Sequence, residues 1–335
     1  MMIYRAILGV ALACLHLVSP GSAFAEPYIP TPGERFVPTS DGSSLYVKIA
    51  GEGPVCMLVH GGPGQGSLST EKMGFDALER HLTVVYVDQR GSGRSPDADD
   101  YSLTRITRDF EEVRRAIGVD SMCLIAHSFG GILALDYART HPDRVTALVL
   151  ANATLHFLGP YNSRMQIDFA NDLLGGQAAT APPGDDPAAL ETALNEARAA
   201  VMKNGLGYRF LTRDLDAIKR MGAIDASYSR SRGFGRALFD RRQDHREYFV
   251  DHAPLSQRIP HPVLVISSRE DYAVGPDEYR RFAFPCQHTV LLDGGHMSYH
   301  EQTPAFTAAI ARFMRTVTVA RGKPPAGPDA CDKGS

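Results

Sequence analysis

The chain has 335 residues, 44% hydrophobic and 22% charged, an ordinary globular composition that excludes a disordered, collagen-like or disulfide-stapled miniprotein. Its 35 Lys+Arg against 38 Asp+Glu leave a formal charge of -3, too balanced for the electrostatic footprint of a nucleic-acid binder.

Arg5 is the only charged residue before Glu26; an apolar run from Ala6 to Val18 and the triplet Ala23-Phe24-Ala25 follow it. A positive start, a run well short of the ~20 residues that span a bilayer, and a small-x-small site predict a secretory signal peptide over residues 1–25. Cleavage after Ala25 implies a secreted or periplasmic protein with no membrane attachment once the signal is gone. Cys56 and Cys123 fall in apolar runs, where a thiol is a small buried hydrophobe, whereas Cys286 and Cys331 could pair in an oxidising compartment. No Cys-x-x-Cys or helical His-x-x-x-His occurs, so neither a metal nor another cofactor is expected.

Residues 34–38 and 44–49 read as strands around the turn Ser40-Asp41-Gly42. Val55–Val59, Thr83–Val87, Met122–Ala126 and Val145–Leu150 are short apolar runs stopped by turn residues, the pattern of strands buried on both faces of a parallel sheet. Between them, Thr104–Ile117 and Ile132–Arg139 carry helical spacing. From about 156 to 255 the apolar strand runs stop, and Ala188–Met202 and Leu211–Met221 read as amphipathic helices. The strand pattern returns at Val263–Ile266 and Thr289–Leu292 and closes with a helix over Pro304–Val317. Alternating strands and helices predict an α/β fold with a mostly parallel central sheet flanked by helices. The expected division is a core over 26–155, a helical cap or lid over 156–255 inserted after the sixth strand, a second core part over 256–318, and a disordered tail over 319–335.

Ser128 stands between an apolar strand and a helix in Ala126-His127-Ser128-Phe129-Gly130-Gly131. A nucleophile on a sharp strand-to-helix turn needs small residues two before and two after it; the usual pattern is G-x-S-x-G, and Ala126 keeps the size if not the identity. A serine there could also simply cap the following helix. The partners favour chemistry. Asp271 follows the strand ending near Ile266, with Glu270 as its rival. His296 follows Asp293-Gly294-Gly295 after the last strand, with His288 and His300 as weaker candidates. Ser, Asp, His is the chain order of α/β-hydrolases: the imidazole takes the serine proton and the carboxylate holds its tautomer. The glycine-rich turn His60-Gly61-Gly62-Pro63-Gly64 frees backbone donors, so the Gly62 and Phe129 N–H groups are the expected oxyanion hole. His60 reads as a structural hydrogen-bonder. The Asp and Arg residues of Asp88-Gln89-Arg90-Gly91-Ser92-Gly93-Arg94-Ser95 read as braces of the fold.

On those two strings, 60–64 and 88–95, the chain resembles prolyl iminopeptidases within the α/β-hydrolase superfamily. The superfamily resemblance covers about residues 34–317 apart from the insertion. It departs at the nucleophile, where that family usually has Gly-Gly-Ser-Trp-Gly. The resemblance implies cap acids that bind the substrate's free amine; the insertion offers Asp168, Asp172, Glu191, Glu196, Asp214, Asp216, Asp225, Asp240, Asp244 and Glu247 with no motif to single any of them out, and acids on helices are usually solvated faces. It implies a serine hydrolase that cleaves amide or ester bonds through an acyl-enzyme. The first substrate reading is an aminopeptidase releasing N-terminal residues, proline among them, from short peptides. The second is a carboxylesterase or lactonase on small apolar esters, and the third a ligand-binding receptor that kept the fold. The expected partner is a small-molecule or short-peptide substrate; the sequence says nothing of oligomeric state.

Overall fold

The computed structural model describes residues 30–184 and 186–321. The expected signal segment and Cys331 lie outside them. In chain order the structure runs β1 (Gly33–Pro38), β2 (Ser44–Ala50), β3 (Val55–Val59), α1 (Leu68–Lys72), β4 (Thr83–Val87), α2 (Leu103–Ala116), β5 (Met122–His127), α3 (Gly130–Thr140) and β6 (Val145–Ala151). It continues with α4 (Pro160–Leu174), α5 (Pro187–Lys203), α6 (Leu215–Ala226), α7 (Gly233–Asp240), β7 (Val263–Ser268), β8 (Gln287–Leu292), α8 (Ser298–Glu301) and α9 (Thr303–Arg321).

The strands form one 8-stranded sheet in the order β1-β2-β4-β3-β5-β6-β7-β8. β2 pairs antiparallel with β1 and β4, and the pairings from β4 through β8 are parallel. The apolar runs are continuous because both faces are covered. In β5, Leu124 and Ala126 enter a core layer shared with Ile106 and Phe110 of α2 and Ile132 and Leu133 of α3. Cys123 and Ile125 enter the opposite layer, with Phe306, Ile310 and Phe313 of α9. A period of two along the strand therefore assigns each side chain to one layer or the other. The helices between β6 and β7 include α4 and α5, which share a separate apolar cluster of Ile167, Ala170, Leu194 and Ala197.

Some expected boundaries move, each for a local reason. The helix expected over Leu211–Met221 begins at Leu215, because the Asp214 carboxylate accepts the Asp216 and Ala217 N–H groups and sets the N-cap there. β8 begins at Gln287 rather than Thr289; it is the sheet edge and largely exposed, so apolarity could not mark its start. α9 runs to Arg321, past the expected start of the tail at 319, because no glycine or proline interrupts the chain before Gly322. Cys286 is disulfide-bonded, while Cys56 and Cys123 are free and buried; the suggested pairing with Cys331 falls outside the described residues.

The turn after β4 is a brace. Arg90, fully buried, grips Asp109 through Nε (2.6 Å) and Nη2 (2.8 Å) and reaches Asp41 through Nη1 (2.8 Å). Asp88 accepts the Ser67 N–H (2.7 Å) and the Arg94 N–H (2.8 Å), tying the turn to the start of α1. Removing one partner of a buried, hydrogen-bonded pair strands the other's charge, which costs about 3–5 kcal/mol. Arg90→Leu is therefore expected to lower unfolding stability by about 3 kcal/mol or more. Arg108→Leu, which loses only an exposed pair to Glu112 (3.2 Å), should change it by less than about 1 kcal/mol. Urea midpoints of the two variants check this; equal shifts would contradict it.

Candidate active site

The C-terminal ends of β5, β7 and β8 carry the expected residues Ser128, Asp271 and His296. Ser128 follows β5 and has a left-handed backbone, φ 57°, which an L-residue adopts only under compulsion. The compulsion is steric and hydrogen-bonded. Ser128 N–H donates to the Ala151 carbonyl (3.3 Å), and its own carbonyl accepts from Gly131 and Thr154, both at 3.1 Å. Gly130 is needed where α3 begins, because a Cβ there would strike the Val59 carbonyl of β3.

Asp271 lies just beyond β7 and is fully buried. Both its carboxylate oxygens stand 3.0 Å from His296 Nδ1. Only Nδ1–H can donate to a carboxylate, so the tautomer is fixed and Nε2 is left as the bare, proton-accepting nitrogen. Asn152 donates Nδ2–H to Asp271 Oδ2 (2.9 Å), and the Ala273 and Val274 N–H groups donate to Oδ1 at 3.0 and 3.1 Å. Burial pushes the Asp271 carboxyl up, but the His296 ring, the Asn152 amide and the Val274 N–H outweigh it and hold the acid below its ordinary range. Asn152 is itself held by the Ser298 hydroxyl, which donates to Oδ1 at 2.5 Å.

The rivals are occupied elsewhere. Glu270 pairs with Arg213 (2.7 Å). His288 sits on β8 against Phe313, and His300 accepts from Arg220 at 3.1 Å. His60 bridges the Gly61 carbonyl (2.8 Å) and the Gln89 N–H (3.1 Å), both ring nitrogens engaged in structure.

Ser128 and His296 line one cavity of about 700 Å³, walled by Gly62 and the Gly-Pro turn on one side and by cap residues such as Leu158, Met202 and Phe239 on the other. The Ser128 hydroxyl makes no hydrogen bond to the imidazole among the described contacts; such contacts often close only when substrate is seated. Gly62 has φ 124°, and neither its N–H nor that of Phe129 donates to a protein acceptor among the described residues, which leaves both available to an incoming oxygen. Of the cap acids named above, only Asp225 lines this cavity; its Oδ2 is bound to Arg230 at 2.5 Å, while its Oδ1 is buried without a hydrogen-bond partner among the described residues. In place of a group of amine-binding acids, the cavity thus carries a single cap carboxylate whose charge Arg230 already offsets. Sequence reasoning missed Asn152, Ser298 and His127; nothing in their spacing marks them.

His127 anchors the histidine loop. Its Nε2 stands 3.0 Å from the His296 carbonyl, which accepts, so Nε2 carries the proton. Nδ1 is buried without a partner. Burial, together with the adjacent His296 ring 4.6 Å away centre to centre, pulls its pKa from 6.5 down to about 3. The unfolded imidazole binds a proton that the folded one refuses between those values, so stability rises with pH across the window and is lost as pH falls. His127→Gln keeps an N–H for the carbonyl and removes the titration. Between pH 7 and 5 the variant should lose about 2 kcal/mol less stability than the parent chain. Denaturant midpoints at the two pH values test this; parallel losses would count against it.

Residues 54–303 match the family model for the alpha/beta hydrolase fold. Among curated relatives, the chain is 30% identical over 178 residues to RutD of Escherichia coli O157:H7, described provisionally as a carbamate hydrolase; the match covers 50% of this chain and 66% of that one. The chain thus spans just under two thirds of that relative's length. A proline iminopeptidase-related protein from Thermus thermophilus superposes with a TM-score of 0.69 at 25% identity, over 87% of this chain and 99% of that one. An esterase from Rhodococcus sp. shares the fold, with a TM-score of 0.59 at 23% identity over 85% and 99%.

Proposed function

The chain belongs to the alpha/beta hydrolase fold family, and we propose that this hydrolase cleaves an ester or amide through a Ser128–His296–Asp271 triad and an acyl-enzyme. The observation that carries the reading is the buried Asp271–His296 pair beside a serine held at φ 57° on the same cavity. Ser128 Oγ attacks the carbonyl carbon as His296 Nε2 takes its proton; the Asp271 carboxylate stabilises the imidazolium without itself accepting the proton. The Gly62 and Phe129 N–H groups meet the developing oxyanion. The leaving group departs with the proton from His296. Water, deprotonated by the same nitrogen, then releases the acid and regenerates Ser128.

Two substrate readings meet different support. Release of an N-terminal residue is favoured by the likeness to the Thermus protein and by the strings at 60–64 and 88–95. A substrate ammonium, however, asks for an unpaired carboxylate, and Asp225 is already neutralised by Arg230. A small ester or lactone asks for an apolar wall and free backbone donors, which Leu158, Met202, Phe239 and Gly62 supply. The cavity chemistry supports this second reading best.

Ser128→Ala should fold with an unchanged urea midpoint yet lose some 10⁴–10⁶-fold in kcat on p-nitrophenyl butyrate. Rates on proline p-nitroanilide should lie well below those on the ester. Undiminished ester turnover by Ser128→Ala would refute the triad, and a preference for the anilide would restore the peptidase reading.

A further inference from the structure

The cap side of the cavity carries an excess of positive charge. Arg198, Arg230, Arg232 and Arg236 line it, against the single acid Asp225. Arg230 is paired with Asp225 (2.5 Å) and Arg236 with Asp97 (2.7 Å), while Arg232 is solvent-exposed. Arg198 differs from all of these. It is partly buried on α5, between the fully packed Ala197 and Val201, and no carboxylate reaches it among the described residues. Burial draws its pKa down, and no neighbouring acid opposes the effect. A guanidinium nevertheless stays charged in a protein.

Its orientation is built rather than loose. Arg198 Nε–H donates to Gln166 Oε1 at 2.8 Å. The Gln166 amide cannot turn away, because its Nε2–H₂ donates to the Ala273 carbonyl at 2.6 Å. Asn162 donates to the same carbonyl at 2.8 Å. Ala273 in turn gives its N–H to Asp271. A hydrogen-bonded chain therefore runs from the proposed catalytic acid to Arg198 and fixes the guanidinium by one edge. Nη1 and Nη2 have no protein acceptor among the described residues. Two parallel donors on a fixed, unneutralised cation match the two oxygens of a carboxylate.

We propose that Arg198 is a substrate-binding residue and that the preferred substrate is an ester or amide bearing a free carboxylate, seated on the Arg198 guanidinium while its reacting carbonyl lies at Ser128. This rests on the hydrolase reading above and names its substrate class. The site would reject a substrate ammonium by like charge, consistent with the paired state of Asp225.

The test compares matched esters on the full-length protein: p-nitrophenyl hemiglutarate with p-nitrophenyl valerate for a carboxylate on the acyl side, and 3-carboxyphenyl butyrate with phenyl butyrate for one on the leaving group. In the parent protein, kcat/KM should favour the charged member of at least one pair. Arg198→Gln should lower that charged-to-neutral ratio by about tenfold to a hundredfold, the worth of a charge-assisted hydrogen bond. Arg198→Lys, a point charge without the fork, should restore part of it. Binding of glutarate is followed in parallel by calorimetry, and the urea midpoint of each variant confirms folding. Ratios near one in the parent for both pairs, or ratios unmoved by Arg198→Gln, overturn the proposal. Loss of glutarate binding in Arg198→Gln, with no ester turned over by any form, would instead leave the carboxylate site standing and remove the hydrolase reading. Should Arg198→Gln fail to fold, the ratios of Arg198→Lys against the parent decide in its place: a lowered ratio supports the proposal and an unmoved one overturns it.

Discussion

The site depends on one backbone constraint, the sharp reversal between β5 and α3 that forces Ser128 to positive φ. Such a conformation costs an L-residue on the order of 1–3 kcal/mol and persists only where its surroundings over-determine it. Here they do. β3, β5 and β6 are parallel neighbours, so their C-terminal ends crowd together at one edge of the sheet. A Cβ on Gly61 would stand 2.7 Å from the Ser128 Cβ, and one on Gly130 would strike β3. The serine's carbonyl is meanwhile engaged by donors from both α3 and the segment after β6. The hydroxyl is thereby presented at the rim of the sheet, while the packing that forces the turn holds the neighbouring loops in position.

The histidine reaches that rim from the far end of the chain, and its loop is held at its own backbone. His296 N–H donates to the Leu211 carbonyl at 2.7 Å, and its carbonyl lies against His127 Nε2. Thus the residue before the serine fixes the backbone of the histidine, and the cap fixes it from the other side. The carboxylate is placed by β7 and kept ionised by amide donors from Asn152 and its own turn. The cap does a second job through Gln166 and Asn162, which bind the Ala273 carbonyl and so couple the cavity roof to the acid loop. The proposed catalytic acid on the sheet and the proposed binding residues of the cap meet at a single turn, Asp271–Val274.

Much of this was legible in sequence because it is local. Met122–Ala126 is an unbroken apolar run with small residues around Ser128, and that pattern has few physical explanations other than a buried strand ending in a tight turn. Asp271 and His296 are legible by their places after strands, though Glu270 becomes separable only once Arg213 is seen to claim it. The inserted helical stretch was legible as such, and α5 nearly to its ends, but α4, α7 and the arrangement of the stretch's polar side chains were not. Its helix starts are set by side-chain caps such as Asp214, and its acids look alike until pairing distinguishes them. Asn152, Ser298 and Arg198 escape notice for the same reason: each matters through what it touches across more than thirty residues of chain, as Arg198 does through Gln166, and no period or motif records such a contact.

A Ser128 Oγ made nucleophilic by this arrangement is open to covalent capture. The native protein would be incubated with a fluorophosphonate at neutral pH, digested, and its peptides mapped by mass. One phosphonyl adduct is expected, on the peptide containing Ser128, and it should disappear when His296 is replaced by alanine. An unlabelled Ser128 peptide, or an adduct that survives loss of the histidine, would contradict activation of Ser128 by this arrangement.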